Sequence, residues 1–178
     1  VFVIKKNDGY LNFTLNNVSI GNQTDNANDA FEASLLDANT GNALISGLGF
    51  SRSDALLNIQ SNGSERLAQG VTSILNANGS RTYTIDLRGI PAETTVNLSF
   101  DLLGFGANNS QVSISDVNIV HLNNAPIVND IIQTMAEDSV LTLDLLSATI
   151  DDSNTLTPVI IMAPAHGQLV QNIDGTFS

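Results

Sequence analysis

The chain has no cysteine and no tryptophan, and its 178 residues include only two tyrosines. The lack of cysteine excludes disulfide frameworks and zinc–thiolate sites. With no tryptophan and so little tyrosine, the chain offers little aromatic surface on which a sugar ring could stack. It also lacks an apolar run of about 18 residues, so we expect no membrane insertion.

Basic side chains are scarce as well. Six Lys and Arg stand against 18 Asp and Glu, which gives a formal net charge of −12. This balance excludes nucleic acids and anionic membranes as partners, because their phosphate groups are bound by basic residues. Hydrophobic residues still make up 42% of the chain, which is enough for a packed core.

Most of the chain shows a two-residue alternation of apolar and polar side chains. This period is typical of β-strands with one face on a core and the other in water. The clearest segments are centred on Phe13, Phe31, Ile85, Phe100 and Leu143. Turn pairs such as Asn62-Gly63 and Asn78-Gly79 separate the strands, and residues 67–75 carry a pattern that also fits a short helix. The predicted fold class is all-β, with a β-sandwich of the jelly-roll-like kind.

A domain boundary is predicted at residues 123–126, because Pro126 forces its predecessor into the extended conformation of a linker. Residues 1–122 then form one sandwich of ordinary domain size. Residues 127–178 are about half of a typical domain, so we expect a truncated module. Because the chain begins with Val1 rather than Met, we expect it to be a fragment of a longer protein.

Fourteen of the 18 acidic residues are aspartates, and they cluster in predicted turns. Short carboxylates in irregular loops are the oxygen ligands that Ca²⁺ takes. The first candidate set is Asp25, Asn28, Asp29 and Glu32, which precede and enter one predicted strand. The alternative is a solubilising loop in which Asn and Asp form Asx turns.

Asp116 is a further candidate ligand, because the apolar phase changes at this residue. Ile114 shares its parity, whereas Val117 carries the apolar face afterwards. Asp116 therefore lies either at a bulge or on the inward face. An inward carboxylate needs a partner, which a cation shared with residues 25–29 would supply. A solvated carboxylate at a plain bulge is the equal alternative.

The downstream block holds three more acidic groups, at Asp130, at Glu137-Asp138 and at Asp151-Asp152. Adjacent carboxylates repel each other unless they are screened or bridged. Beside a domain junction these groups predict an inter-domain calcium site, with solvated turns as the alternative.

The sequence contains few motifs that could support catalysis. The two histidines, His121 and His166, fall in the linker region and in a predicted turn. The sequence shows no nucleophile elbow, no phosphate-binding loop and no paired-histidine metal motif. We therefore expect that the protein is not an enzyme.

Five motifs stand within and after the linker: Asn-Ala-Pro at 124–126, Glu-Asp at 137–138, Leu-Leu followed by Asp-Asp at 145–152, Pro-Ala-His-Gly at 164–167 and Asp-Gly-Thr at 174–176. Together they resemble the opening half of the cadherin-like or Ig-like tandem repeat of giant bacterial surface adhesins. The resemblance implies a partial Ig-like or cadherin-like β-sandwich in which the Glu-Asp pair and the Asp-rich turn bind calcium. The chain departs from the family's alternating Asp-x-Asp at Asp151-Asp152.

Upstream, four motifs are Asp-Ala-Phe-Glu at 29–32, Leu-Leu-Asp-Ala-Asn-Thr-Gly at 35–41, Arg-Gly-Ile-Pro-Ala at 88–92 and Leu-Ser-Phe-Asp-Leu-Leu-Gly-Phe-Gly at 98–106. They are similar to a β-sandwich module found beside such repeats in large secreted bacterial and cyanobacterial proteins. The resemblance implies an extracellular or cell-surface location.

The predicted function is a structural and adhesive segment of a large secreted or surface-attached bacterial protein, stabilised and stiffened by Ca²⁺. The expected partners are neighbouring modules of the same polypeptide, and then an extracellular glycan or another cell-surface ligand. The alternative is a carbohydrate-binding accessory module of a secreted polysaccharide-degrading protein.

Overall fold

The computed structural model describes residues 1–22, 27–45, 47–48, 54–104, 109–151 and 156–178. They belong to two compact units, Val1–Leu122 (unit 1) and Asn123–Ser178 (unit 2). The predicted all-β class is confirmed, since the regular elements of these ranges are strands and one short 3₁₀ turn. None of the described residues forms a helix that is long and apolar enough to cross a membrane.

Unit 1 consists of two antiparallel sheets, as expected for a β-sandwich. Sheet A contains, in spatial order, β1 (Phe2–Val3), β8 (Thr95–Leu103), β3 (Ala30–Asp37), β4 (Ala55–Gln60) and β5 (Glu65–Leu67). Sheet B contains β6 (Val71–Leu75), β7 (Arg81–Asp86), β2 (Asp8–Ser19) and β9 (Gln111–His121).

The chain wraps around the core in a jelly-roll-like way. Strands β2 and β3 follow each other in the chain but lie in opposite sheets, and so do β8 and β9. In space β2 pairs with β9 and β3 pairs with β8. The two long connections therefore cross between the sheets side by side, as in double-sheet jelly rolls.

Alternate side chains of the strands fill the space between the sheets. In β2 the buried residues are Leu11, Phe13 and Leu15, as the period-two pattern predicts. Phe13 stacks on Tyr83 of sheet B, with 5.1 Å between ring centroids, and meets the edge of Phe100 of sheet A at 5.0 Å. This aromatic cluster thus joins the two sheets.

The structure confirms the predicted turns and contradicts the helical alternative. Asn62-Gly63 and Asn78-Gly79 are turns of the β4–β5 and β6–β7 hairpins, and both glycines have positive φ, 78° and 84°. The helix considered for residues 67–75 is wrong. Gly70, with φ of 86°, breaks this segment, and the residues after it pair with β7. Pairing with β7 stabilises these residues more than their weak helical propensity would.

Unit 2 has little regular structure among its described residues. Strand β10 (Ile127–Val128) pairs with β11 (Thr149–Ile150), and a 3₁₀ turn (Leu146–Ala148) leads into β11. The strand predicted around Leu143 is reduced to a single bridge with Phe177. A two-residue ladder covers few side chains, so apolar residues such as Ile161 remain exposed, here to 96%.

Candidate functional site

Eight of the ten predicted calcium ligands lie within the described residues, and Asp25 and Asp152 lie outside them. Asp29 is buried, and Glu32 and Asp151 are partly buried. The exposed ones are Asn28, Asp116, Asp130, Glu137 and Asp138.

Asp29 is a buried carboxylate at the start of β3, with 3% of its surface exposed. Its Oδ2 accepts a hydrogen bond of 2.5 Å from the Ser110 hydroxyl, whose oxygen accepts one of 2.8 Å from the Gly21 backbone N–H. The Asp29 N–H donates to the Gly21 carbonyl at 3.2 Å. A closed network thus holds this carboxylate among three segments of the chain.

The Asp29 carboxylate occupies the space where a side chain of residue 104 would lie, and residue 104 is a glycine. The β3–β8 register, in which Ala30 is opposite Leu103, places Gly104 opposite Asp29. A Cβ at Gly104 would overlap the carboxylate of Asp29. The absence of a side chain at residue 104 is therefore a steric requirement of the buried acid.

Glu32 has different neighbours from Asp29, three residues along the same strand. Its Oε1 accepts a hydrogen bond of 2.8 Å from the Asn58 amide of β4. On the other side it lies directly opposite Asp101 of β8. Two like charges in directly opposite cross-strand positions destabilise a sheet. Asp29 and Glu32 thus belong to separate hydrogen-bonding groups.

Asp116 lies at a β-bulge in β9. The pairing moves from Thr14↔Ser115 to Asn12↔Asn118, which leaves one extra residue in β9. Asp116 is exposed with φ of 52°, and its carboxylate accepts a hydrogen bond of 2.8 Å from the Ser115 hydroxyl. The bulge alternative is therefore correct, and the alternative of an inward carboxylate is wrong.

The acidic groups of unit 2 lie at turns. Asp130, Glu137 and Asp138 are exposed, and Asp138 has φ of 59°, a conformation that aspartate tolerates in turns. In the parts of the chain that the structure describes, no three Asp, Glu or His side chains come together as a metal-binding group.

A side-chain contact that the sequence did not predict joins the start of β2 to the end of β9. Asp8, almost completely buried at the start of β2, lies 2.7 Å from the His121 Nδ1 at the end of β9. The other Asp8 oxygen accepts a hydrogen bond of 2.8 Å from the Lys5 backbone N–H. Because the two residues are 113 positions apart, no local pattern could have indicated the pair.

Leu122, the residue after His121, also contacts the segment that leads into β2. The Leu122 N–H donates to the Asn7 carbonyl at 2.7 Å, and its side chain lies against Gly9. A Cβ at Gly9 would be 2.6 Å from the Leu122 Cγ, so a side chain at residue 9 would require Leu122 to shift. We call Asp8, Gly9, His121 and Leu122 the exit clamp, because they fix the chain where unit 1 ends.

The outer face of sheet B carries rows of polar side chains. In one row the Thr84 hydroxyl donates to the Asn12 amide oxygen at 2.8 Å, and in the next the hydroxyls of Thr14 and Thr82 are 2.9 Å apart. These positions alternate with the core-facing ones of the same strands, and among them Thr14 is itself buried, with 6% of its surface exposed. The face thus presents hydroxyl and amide groups at the spacing of β-strands.

A charged cluster borders this polar face. The Arg88 guanidinium donates to both oxygens of Asp86, at 2.9 and 2.6 Å, and lies over the Tyr10 ring at 5.2 Å from its centroid. Hydrogen bonds from the Arg88 side chain and backbone lower the pKa of Asp86 to about 2. Asp86 therefore stays ionised at neutral pH, and Arg88 is held over the only tyrosine of β2.

Comparison of the chain with models of known protein families, with curated proteins and with solved structures finds no match. The resemblance to calcium-dependent bacterial adhesins thus remains a prediction from the sequence motifs.

The first test concerns the contact between Gly104 and Asp29. We expect Gly104→Ala to lower the free energy of unfolding by about 1–3 kcal/mol, because the new methyl group displaces the carboxylate from Ser110. The matched control is Gly89→Ala, where no atom lies within 4 Å of the added Cβ. Urea unfolding followed by circular dichroism measures both changes.

A double-mutant cycle separates this contact from a general effect at Gly104. If the overlap with Asp29 is the cause, Asp29→Ala should remove much of the additional cost of Gly104→Ala. Equal costs of Gly104→Ala with and without Asp29, or no cost at all, would contradict the proposed fit.

Proposed function

We propose that the chain is a structural and adhesive segment of a large extracellular protein, whose modules stand in series at a bacterial cell surface. The exit clamp is the observation that carries this proposal. The sequence motifs shared with surface adhesins support the bacterial and extracellular parts of it, and the −12 net charge fits a role that needs no phosphate-bearing partner.

A module in series must pass tension from one end to the other. In unit 1 the last strand, β9, pairs antiparallel with β2, so a pull on the end of β9 first loads the pairs nearest to Asp8 and His121. The clamp adds the Asp8–His121 pair and the Leu122–Asn7 hydrogen bond where the chain leaves. The chain therefore leaves unit 1 from a fixed point, as a segment of a rod requires.

An Asp–His pair also occurs in hydrolytic sites, where the carboxylate orients the imidazole. The place of this pair favours a structural role, because its two residues are the first of β2 and the last of β9. The pair thus joins two strand ends at the edge of sheet B.

The second part of the proposal is stabilisation by Ca²⁺. Its support is the ligand chemistry of the aspartate-rich turns and the burial of Asp29, which follows directly on Asn28. For dissociation constants of about 10⁻⁴ to 10⁻³ M, typical of extracellular modules, millimolar calcium adds on the order of 1 kcal/mol per site.

The clamp is tested by pulling the protein through its ends in single-molecule force spectroscopy. His121→Ala leaves the buried Asp8 without its imidazole partner, which should cost about 1–3 kcal/mol of stability and lower the unfolding force of unit 1. The control is His166→Ala, at an exposed position of unit 2. Equal unfolding forces for wild type and His121→Ala would remove the main support for a role in tension.

Calcium is tested by thermal unfolding in millimolar CaCl₂ and in EDTA, with MgCl₂ as the ionic-strength control. We expect the melting temperature to rise by several degrees in calcium, because about 1 kcal/mol shifts it by that amount in domains of this size. Asp29→Asn should reduce the shift if residues 25–32 bind the ion. Identical melting temperatures in calcium and EDTA would refute the proposed stabilisation by Ca²⁺ and leave the proposed role of the exit clamp unaffected.

The second candidate function is recognition of a carbohydrate. The polar rows on the outer face of sheet B favour it, because hydroxyl and amide groups can bind sugar hydroxyls where aromatic stacking is scarce. Tyr10 at the border of that face would supply the one aromatic contact.

A glycan array, run with calcium and with EDTA, distinguishes the two functions. A structural segment should bind no glycan under either condition. A carbohydrate-binding module should bind, and Asn12→Ala on the polar face should weaken that binding about tenfold, the effect of one lost hydrogen bond of about 1.4 kcal/mol. The exposed Asn39, in a sheet A turn, gives the control Asn39→Ala.

A further inference from the structure

A pocket of about 780 Å³ opens between the two sheets of unit 1, within the usual volume range of small-ligand sites. Strand β2 begins in the exit clamp, whereas residues 15–18, near its other end, line this pocket. The turns of the β4–β5 and β6–β7 hairpins contribute Gly63 and Gly79. The pocket thus lies at the end of the sandwich opposite the clamp. We call it the end pocket, and it is lined by Asn17, Ile59, Glu65, Asn78, Arg81 and Tyr83 among others.

Two charged residues of the end pocket occupy core-facing positions. Arg81 has the same parity in β7 as Tyr83 and Ile85, which are both buried. Glu65 of β5 lies directly opposite Ile59, which is buried as well. Core-facing positions of a sandwich are normally apolar, and departures from the expected pattern are typical of functional sites. The end pocket is therefore a candidate binding site.

The Glu65 carboxylate is held by hydroxyl groups of sheet B. The Tyr83 hydroxyl donates to its Oε1, and the Ser73 hydroxyl donates to its Oε2 at 3.2 Å. Burial and the hydrogen bond to Glu65 raise the pKa of Tyr83, so this hydroxyl stays protonated at neutral pH. Both oxygens of Glu65 thus have a hydrogen-bond donor that is not a cation.

The Arg81 guanidinium is only partly used by the protein. Its Nη1 donates to the Ser73 Oγ at 3.3 Å and lies 3.7 Å from the Glu65 Oε2, which is too long for a hydrogen bond. Within the described residues, the Nε and Nη2 groups of Arg81 make no hydrogen bond, and 38% of its side chain is exposed. The planar fork of an arginine matches the two oxygens of a carboxylate, so these groups can bind one.

Apolar side chains stand on both sides of this guanidinium. The register of sheet B places Arg81 directly between Leu75 of β6 and Leu15 of β2. Leu15 is buried, whereas Leu75 is 62% exposed, and Val18 near the end of β2 is 42% exposed. Together they offer an apolar surface, from the base of the end pocket to its rim, beside the anion-binding groups.

The rim of the end pocket also carries two exposed amide side chains, Asn17 and Asn78. The Asn78 Oδ1 accepts hydrogen bonds from the backbone N–H and the hydroxyl of Ser80, at 3.0 and 2.7 Å. Its NH₂ group makes no hydrogen bond within the described residues. Side-chain amides both donate and accept hydrogen bonds, so they match the N–H and C=O groups of a peptide.

We propose that the end pocket binds the C-terminus of a polypeptide whose last side chain is apolar. The Nε and Nη2 groups of Arg81 donate to the two oxygens of the α-carboxylate. The last side chain lies against Leu15 and Leu75, and the rim amides bind the adjacent peptide groups. Capture of a terminal carboxylate is a recurring mode of peptide recognition. This site goes beyond the proposed function, because a segment of a rod needs no ligand between its sheets.

The first test compares the peptide acetyl-Gly-Ser-Ala-Leu with its C-terminal amide in ¹⁵N–¹H NMR titrations. We expect the free acid to shift the backbone amide signals of Gly63 and Gly79 and the Nε–H of Arg81, with a dissociation constant on the order of 1 mM. The amide form should bind at least about tenfold more weakly, because it lacks the charge on which the bidentate contact depends. Equal binding of the two peptides, or no shifts at about 10 mM of the free acid, would overturn the proposal.

The second test removes the guanidinium. Arg81→Gln should bind the acid and the amide equally, whereas Arg66→Gln, which removes the same charge from an exposed position beside Glu65, should keep the preference for the acid. Thermal melting followed by circular dichroism shows whether both variants fold, and the comparison of the two peptides on the wild type does not depend on either. Acetate is the last probe. If acetate shifts Gly63 and Gly79 as strongly as the peptide does, the pocket is a site for anions in general and the assignment of a polypeptide is overturned.

Discussion

The packing of alternate side chains between two sheets is the constraint on which unit 1 depends. Phe13 shows how it works, because its ring contacts Tyr83 in its own sheet and Phe100 in the opposite one. A chain without cysteine cannot hold the sheets together by disulfides, so this apolar contact has to do so. The polar faces, the buried Asp29 and the strand ends all take their positions from it.

The negatively charged side chains are stabilised by hydrogen bonds and ion pairs at the edges of this core. Asp37 accepts hydrogen bonds from the backbone N–H groups of Thr40 and Asn39, which lower its pKa. Asp174 accepts hydrogen bonds from the hydroxyl and then the backbone N–H of Thr176, which lower its pKa as well. The scarce cations pair with others, as Arg88 does with Asp86. Turn geometry thus accounts for part of the aspartate content.

The outermost strand of sheet B is protected against pairing with other chains. Strand β9 is interrupted by the bulge at Asp116 and fixed at its end by the exit clamp, and bulges are a known means of preventing edge-to-edge pairing.

The sequence by itself determined the strands and which of their faces is buried, because the period of two is a local property of the chain. It predicted the burial of Leu11, Phe13 and Leu15 and the turn at Asn62-Gly63. It left Asp116 between two alternatives, since parity shows a change of phase but not its direction. The tertiary structure was needed to show which strands become neighbours, and therefore the Asp8–His121 pair and the Asp29–Gly104 contact. These depend on how distant segments cross between the sheets, and no window of the sequence contains both members of such a contact.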